Sequence, residues 1–240
     1  MEVLHLDYRP KTGGIVGSLQ TRLMKSSSAK LRERYDSYHE VGLGAIGSAV
    51  ATRLALVLRV SFRLGILLKR LRDEIEETGR VGELLDNGWA FVTPDSRIFY
   101  DICVTVDACY FEFRSFYEIV GKYVIAFCKE MLDREVSEKE LIQVLEDAGV
   151  DTSWIEPVKD TRKLFFHETA PWIALRIHER SPLVCSLLVL KENVHTFDDA
   201  DKYITQDQLV DAIEGLQKAS WEIHNWLVLR IEEVEELESA

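Results

Sequence analysis

Apolar residues spaced by threes and fours run through most of this chain, and this periodicity constrains its fold more than any other feature. The clearest run lies between residues 101 and 133, and its apolar positions are 102, 106, 109, 110, 113, 116, 117, 120, 124, 127, 128 and 131. Because an α-helix has about 3.6 residues per turn, this spacing places them on one broad side of a helix. The same pattern predicts helices over 43–77 and from residue 205 to the end of the chain.

Two helix starts and one helix end have local signals of their own. Ser137 with Glu140, and Thr205 with Gln208, have the spacing of a capping box, in which each side chain satisfies a free backbone group at a helix N-terminus. Gly149 follows the first of these helices and is a typical stop. These signals predict a short helix after Ser137 and a long one after Thr205.

The segments between the helices carry weaker patterns. We expect the Gly- and Ser-rich residues 9–30 to be mobile, and a proline predicts a kink in a helical region over 158–180. The segments LLVL at 187–190 and KYI at 202–204 predict a small hairpin around an acidic loop. The fold class that follows is all-α, a helical bundle with a small β-hairpin insertion near residues 186–204.

Charge is distributed unevenly along the chain. The 240 residues carry a formal net charge of −12, yet between Arg9 and Arg72 there are 13 basic residues and only three acidic ones. From residue 207 onward, two basic residues stand among nine acidic ones. A basic segment in an acidic protein can bind phosphate backbones, or it can pair with the acidic end of its own chain. We expect a basic N-terminal helical region over 1–96 and a helical bundle over 97–240.

Composition and leader signals bear on the compartment. With 47% hydrophobic residues the chain is typical of globular proteins, which excludes the disordered and fibrous classes. Four cysteines without a CxxC spacing, and no apolar leader at the N-terminus, predict a reduced cytoplasmic protein. The most apolar stretch contains Arg53, Arg59 and Arg63, so we expect no transmembrane helix and no membrane partner.

Three glycines match a nucleotide-binding pattern. Gly42, Gly44 and Gly47 have the GxGxxG spacing that lets a backbone approach a pyrophosphate. The residues before Gly42 are too polar for a buried parallel strand, and no acidic residue follows at the distance that would hold a ribose. We therefore favour a role in helix packing, and nucleotide binding remains a weaker alternative.

One segment combines residue types that can perform chemistry. Arg162 can hold a phosphate with two donors, and His167 can move protons near neutral pH. Lys163 would attract a nucleic-acid backbone, and Glu168 could orient the imidazole. On an ideal helix Arg162 and His167 point well apart, so they converge only where the helix bends or begins between them.

The spacing of Arg162 and His167, in a late helix after a long amphipathic one, resembles the HEPN superfamily motif of Arg, four to six residues, then His. The resemblance covers residues 97–240 and implies a helical bundle that dimerises, with two motifs lining one cleft. In catalytic members of that superfamily, it implies metal-independent RNA cleavage with His167 as acid or base and Arg162 on the phosphate. Many members have Asn, Asp or His directly after the arginine, where this chain has Lys163.

The functional hypothesis is therefore an RNA-binding protein or metal-independent endoribonuclease, a homodimer, with Arg162 and His167 catalytic and Lys163 and Glu168 binding substrate. We expect no cofactor and no metal, because the remaining histidines and cysteines lack metal-ligand spacing. An alternative is a non-catalytic helical interaction or assembly module with a protein partner. In that case Arg162 pairs with a nearby acid such as Glu168, and His167 is an ordinary surface residue.

Overall fold

A computed structural model describes residues 14–78, 89–91, 97–156, 158, 172–180, 183–190, 199 and 202–239. The helices in this part of the chain are α1 (Gly14–Met24), α2 (Ala29–Asp36), α3 (Leu43–Thr78), α4 (Arg97–Leu132), α5 (Glu138–Asp147) and α6 (Gln206–Ser239). The strands are β1 (Trp89–Phe91), β2 (Trp172–Arg180), β3 (Leu183–Leu190) and β4 (Tyr203–Thr205). The protein is mostly helical with a small antiparallel sheet, as the periodicity predicts.

The predicted helix ends are confirmed by their hydrogen bonds. The Ser137 hydroxyl accepts from the backbone N–H of Glu140 (3.2 Å), and the helix it caps ends before Gly149, whose φ of +73° favours glycine. At the start of α6 the capping is mutual. The Gln208 N–H donates to the Thr205 hydroxyl (3.2 Å), and the Thr205 N–H donates to the Gln208 side chain (2.9 Å).

The four strands form one antiparallel sheet in the order β1-β2-β3-β4. The predicted hairpin pairing is confirmed, since Leu188 lies opposite Thr205 and Leu190 opposite Tyr203. The prediction of a helical region up to residue 180 is wrong for 172–180, which is β2. Ile173, Leu175 and Ile177 alternate with other residues along it, and this period of two fits a strand held between β1 and β3.

Residues 14–24, expected to be mobile, form the helix α1. Its side chains Val16, Leu19 and Leu23 are spaced by threes and fours, and all three are buried. Glycines and polar residues surround this short apolar stripe, so the local pattern does not predict a helix. Packing of the three buried side chains against the rest of the protein stabilises the helix instead.

The chain divides into two compact units, each assembled from separate segments. Unit 1 comprises 1–6, 56–114 and 154–212, and unit 2 comprises 7–55, 115–153 and 213–240. Each of the helices α3, α4 and α6 therefore contributes residues to both units. The sequence suggests a boundary at residue 96. Each of the two units contains segments from both sides of that boundary.

Each unit has its own buried core. In unit 1, Ala174, Leu188 and Leu190 form a buried cluster in the sheet with Tyr203 packed against it. In unit 2 the core includes two buried tyrosines, Tyr38 and Tyr123, whose hydroxyls are hydrogen-bonded to each other at 2.9 Å. Burial raises the pKa of both hydroxyls, so both stay protonated at neutral pH and the pair is an uncharged polar contact.

Candidate interaction face and the charged contacts

The residues predicted to perform chemistry lie outside the described part of the chain. Arg162, Lys163, His167 and Glu168 all fall within residues 159–171, for which no contacts are described. Whether Arg162 and His167 converge therefore stays a prediction.

The glycine pattern has a packing role in unit 2. The chain before Gly42 is the helix α2 followed by turns, and not the strand that a dinucleotide site requires. Gly42 has a φ of +82°, and a Cβ on Gly44 would fall on the ring of His39. A Cβ on Gly47 would lie 2.7 Å from a methyl group of Val16. The alternative of nucleotide binding through these glycines is thereby excluded.

The basic segment pairs in part with the acidic end of the chain. Arg22 of α1 donates to Glu232 (3.1 Å) and to Glu235 (3.0 Å) of α6. Glu235 also accepts from the Ser26 hydroxyl (2.5 Å) and from the backbone N–H of Ser27 (3.0 Å). The sequence allows two partners for the basic segment, phosphate backbones or the acidic end of the same chain. At Arg22 the partner is the acidic end of the chain.

The surroundings of Glu235 favour its charged form. The hydrogen bond from Ser26 lowers the pKa of this carboxyl most, and the Ser27 N–H and the Arg22 guanidinium lower it further against the opposing effect of burial. Because its side chain is only 14% exposed, these contacts are only partly screened by solvent. The carboxylate of Glu235 thus links α6 to the residues that connect α1 and α2.

A second contact involves two further basic residues of this region. Arg34 of α2 donates to the backbone carbonyl of Met131 (3.0 Å) and to the carboxylate of Asp133 (3.2 Å). The Lys30 ammonium lies 3.9 Å from the same carboxylate. Asp133 has a positive φ of 57° just after the end of α4, so these contacts hold a strained turn in place.

The cysteines and histidines of the described residues show no reactive arrangement. Burial raises the pKa of the Cys109 and Cys128 thiols to about 12, and that of Cys103 to about 11. His178 is hydrogen-bonded to Ser186 (2.9 Å) across the sheet. In the described ranges, no group of three or more His, Cys, Asp or Glu side chains could hold a metal ion.

A narrow cavity lies in unit 1, and its lining is largely apolar. The lining residues are Leu68, Leu71, Arg72, Leu175, Cys185, Leu187 and Gln206. The Gln206 side chain accepts a hydrogen bond from the N–H of Leu187 in β3 (3.2 Å), so this side chain is bound to the sheet. Burial raises the pKa of the Cys185 thiol although the Arg72 guanidinium opposes it, so the cavity holds no activated nucleophile.

The most distinctive surface of unit 1 consists of four exposed apolar side chains. Phe62 (66% exposed) and Ile66 (40%) lie one turn apart on α3, and Tyr100 (61%) and Val104 (66%) lie one turn apart on α4. Arg63 of α3 and Asp101 of α4 approach to 3.9 Å, so the two pairs flank a point where these helices lie side by side. We call these four side chains the junction face.

Cations border the junction face on α3. Arg59, Lys69 and Arg70 are exposed on the same side of the helix as Phe62 and Ile66. Within the described residues none of the three forms an ion pair. Apolar side chains of this size next to available cations are typical of a surface that binds another molecule.

The helical periodicity does not single out this face, although the sequence contains one signal of it. Tyr100 and Val104 fall outside the apolar stripe of the helix predicted over 101–133, and Phe62 lies among the basic residues of α3. Large apolar residues on the polar side of an amphipathic helix mark an exposed face. Only the structure shows that the two pairs lie on neighbouring helices.

Helix α3 also meets a length and composition criterion for a helix that crosses a membrane. Its best 18-residue window has a mean hydropathy of 1.6, and 22% of that window is buried inside the protein. Core helices of soluble proteins meet the same criterion, and α3 is the one helix in the described part of the chain that does so here. The expectation of no transmembrane helix therefore stays a prediction.

Comparison with known proteins does not place this chain in a family. No protein-family model, no curated protein and no solved structure matches it.

Proposed function

We propose that this chain is a helical interaction module that binds a protein partner through the junction face. The observation that carries the proposal is the exposure of Phe62, Ile66, Tyr100 and Val104 around the contact between Arg63 and Asp101. Soluble monomers expose single apolar residues commonly but seldom group several large ones on adjacent helices. Aromatic side chains with arginines beside them are also the usual anchors of protein interfaces.

A site-specific photocrosslinker at Phe62 tests this role in cells. We expect an adduct with a protein partner when the crosslinking residue replaces Phe62 or Val104. The same residue at Lys129, which is exposed on α4 away from the junction face, serves as the matched control. Adducts at Lys129 as abundant as those at Phe62, or none at either position, would contradict the proposal.

A second candidate function is RNA binding or metal-independent endoribonuclease activity in the cytoplasm. It is favoured by the spacing of Arg162 and His167 in a mostly helical chain, which resembles the HEPN motif. Under this proposal the helices form a HEPN-like bundle that dimerises. His167 moves the proton of a ribose 2′-hydroxyl, Arg162 stabilises charge on the phosphoryl oxygens, and Lys163 and Glu168 bind or orient.

Cleavage of labelled RNA in the presence of EDTA tests the second candidate. We expect cutting by the wild type and none by the folded variants His167→Ala and Arg162→Ala. Lys129→Ala is a control for the loss of an exposed cation elsewhere. If the wild type does not cut RNA, or if either active-site variant cuts as well as the wild type, these two residues are not catalytic.

A further inference from the structure

The outward side of α6 in unit 2 also exposes apolar side chains, but most of its charges are acidic. Trp221 is 61% exposed and Leu229 is 54% exposed. Helical periodicity places Glu214, Glu222 and Glu236 on the same side, together with one cation, Lys218, which lies 4.0 Å from Glu214. The indole of Trp221 stacks on the ring of His224, with centroids 5.7 Å apart, so it is held in position although exposed. We call this side the acidic face of α6.

We propose that the junction face of one copy of this chain packs against the acidic face of α6 in a second copy. This inference rests on the interaction role proposed above and names the partner. Each face presents large apolar side chains, Phe62 and Ile66 on one and Trp221 and Leu229 on the other. One chain therefore carries both halves of a complementary contact, and a contact between unlike faces joins copies head to tail into a ring or a linear assembly.

The charges favour an antiparallel arrangement of the two helices. When Phe62 is set opposite Trp221, Lys69 and Glu214 lie opposite each other, because each is two helical turns away in opposite chain directions. Glu222 then falls between the levels of Arg59 and Arg63 on α3. Lys218 lies opposite Gly65 in this antiparallel arrangement but opposite Arg59 in a parallel one with the same central pair, where the like charges repel. The parallel arrangement would set Glu222 opposite Arg63, which already lies 3.9 Å from Asp101.

The same charges argue against a polyanion or an anionic lipid surface as the occupant. The basic stretch of α3 is short, because Asp73 is exposed on the same side as Ile66. A compact acidic and apolar helix face, such as that around Trp221, fits this surface better.

A charge exchange between two full-length variants tests the inference. One variant carries Arg59→Glu and Lys69→Glu, and the other carries Glu214→Lys and Glu222→Lys. Arg59, Lys69 and Glu214 are exposed and Glu222 is half-buried, and circular dichroism checks that both variants are folded. A matched control, Glu135→Lys with Glu146→Lys, changes two exposed acids away from both faces. Association is measured by sedimentation velocity over a wide concentration series.

We expect the wild type and the control to associate, and each variant alone to lose association, because its two contacting faces then carry like charges. The equimolar mixture of the two variants should recover association, since opposite charges meet again in the mixed assembly. Failure of the mixture to recover, or undiminished association of either variant alone, would overturn the inference. If the wild type stays monomeric while Phe62 crosslinks to a different protein, the interaction role stands and the partner named here is wrong.

Discussion

Replacing Glu235 with glutamine removes the charge that joins α6 to the connection between α1 and α2. The carboxylate accepts from the Ser26 hydroxyl, the Ser27 N–H and the Arg22 guanidinium at 2.5, 3.0 and 3.0 Å. A hydrogen bond to a charged group stabilises a protein by about 1.5–3 kcal/mol, against about 1 kcal/mol for a neutral one. Since the three contacts share one group and are not additive, we expect a loss of about 2 kcal/mol.

The loss should depend on pH in a defined direction. The contacts lower the pKa of Glu235 in the folded protein below its ordinary value of 4.5. The folded state therefore binds fewer protons than the unfolded state between the two pKa values. The stabilisation is complete above the unfolded pKa and is lost as the pH falls through the folded pKa. In the wild type this loss adds to other acid effects, and in Glu235→Gln it is absent.

Urea unfolding followed by circular dichroism, at neutral pH and at a series of acidic values, measures both effects. The control is Glu236→Gln, which removes the same charge from an exposed neighbouring position. We expect the free energies of unfolding of wild type and Glu235→Gln to differ at neutral pH and to converge on acidification. Equal stability of the two glutamine variants at neutral pH, or a difference from wild type that persists in acid, would refute the reasoning.

Two further predictions concern the core of unit 2, the first with a control glycine on the part of α3 that belongs to unit 1. Gly47→Ala should lower the free energy of unfolding by about 1–3 kcal/mol, because its Cβ would meet Val16 at 2.7 Å. Gly65→Ala has open space at its Cβ and should raise the free energy of unfolding by up to about 1 kcal/mol. Melting temperatures of the two variants that shift in the same direction would contradict this. Tyr123→Phe should cost about 1 kcal/mol by removing the hydrogen bond between the two buried hydroxyls, which leaves the Gln20 side chain as the partner of Tyr38, and adding Tyr38→Phe should recover part of the loss. A double-mutant cycle with no coupling between Tyr38 and Tyr123 would show that their hydrogen bond contributes nothing.

Most of the helical fold is encoded locally and could be predicted. The spacing of apolar residues in α3, α4 and α6 predicts these helices with ends close to those observed, because 3.6-residue periodicity over many turns has few alternative interpretations. The capping pairs at Ser137 and Thr205 fix two starts for the same reason, since each pair satisfies backbone groups only a few residues away.

The strand β2 could not be assigned in the same way. Residues 172–180 are apolar enough for either a short helix or a strand, and only pairing with β1 and β3, which lie far away in the chain, selects the strand. The functional hypothesis has a similar limit. Arg162 and His167 are suitable for phosphate chemistry by residue type, but their convergence depends on a backbone geometry that spacing does not fix.

The sequence by itself determined the helical class, the helix ends and the unequal distribution of charge, because each depends on residues within a few turns of one another. Only the tertiary structure decided which charges are used internally and which remain available. It pairs Arg22 with Glu232 and Glu235, and it leaves Arg59 beside the exposed Phe62. The physical reason is that ion pairing and burial depend on distances between helices, and a helix pattern contains no information about its neighbours.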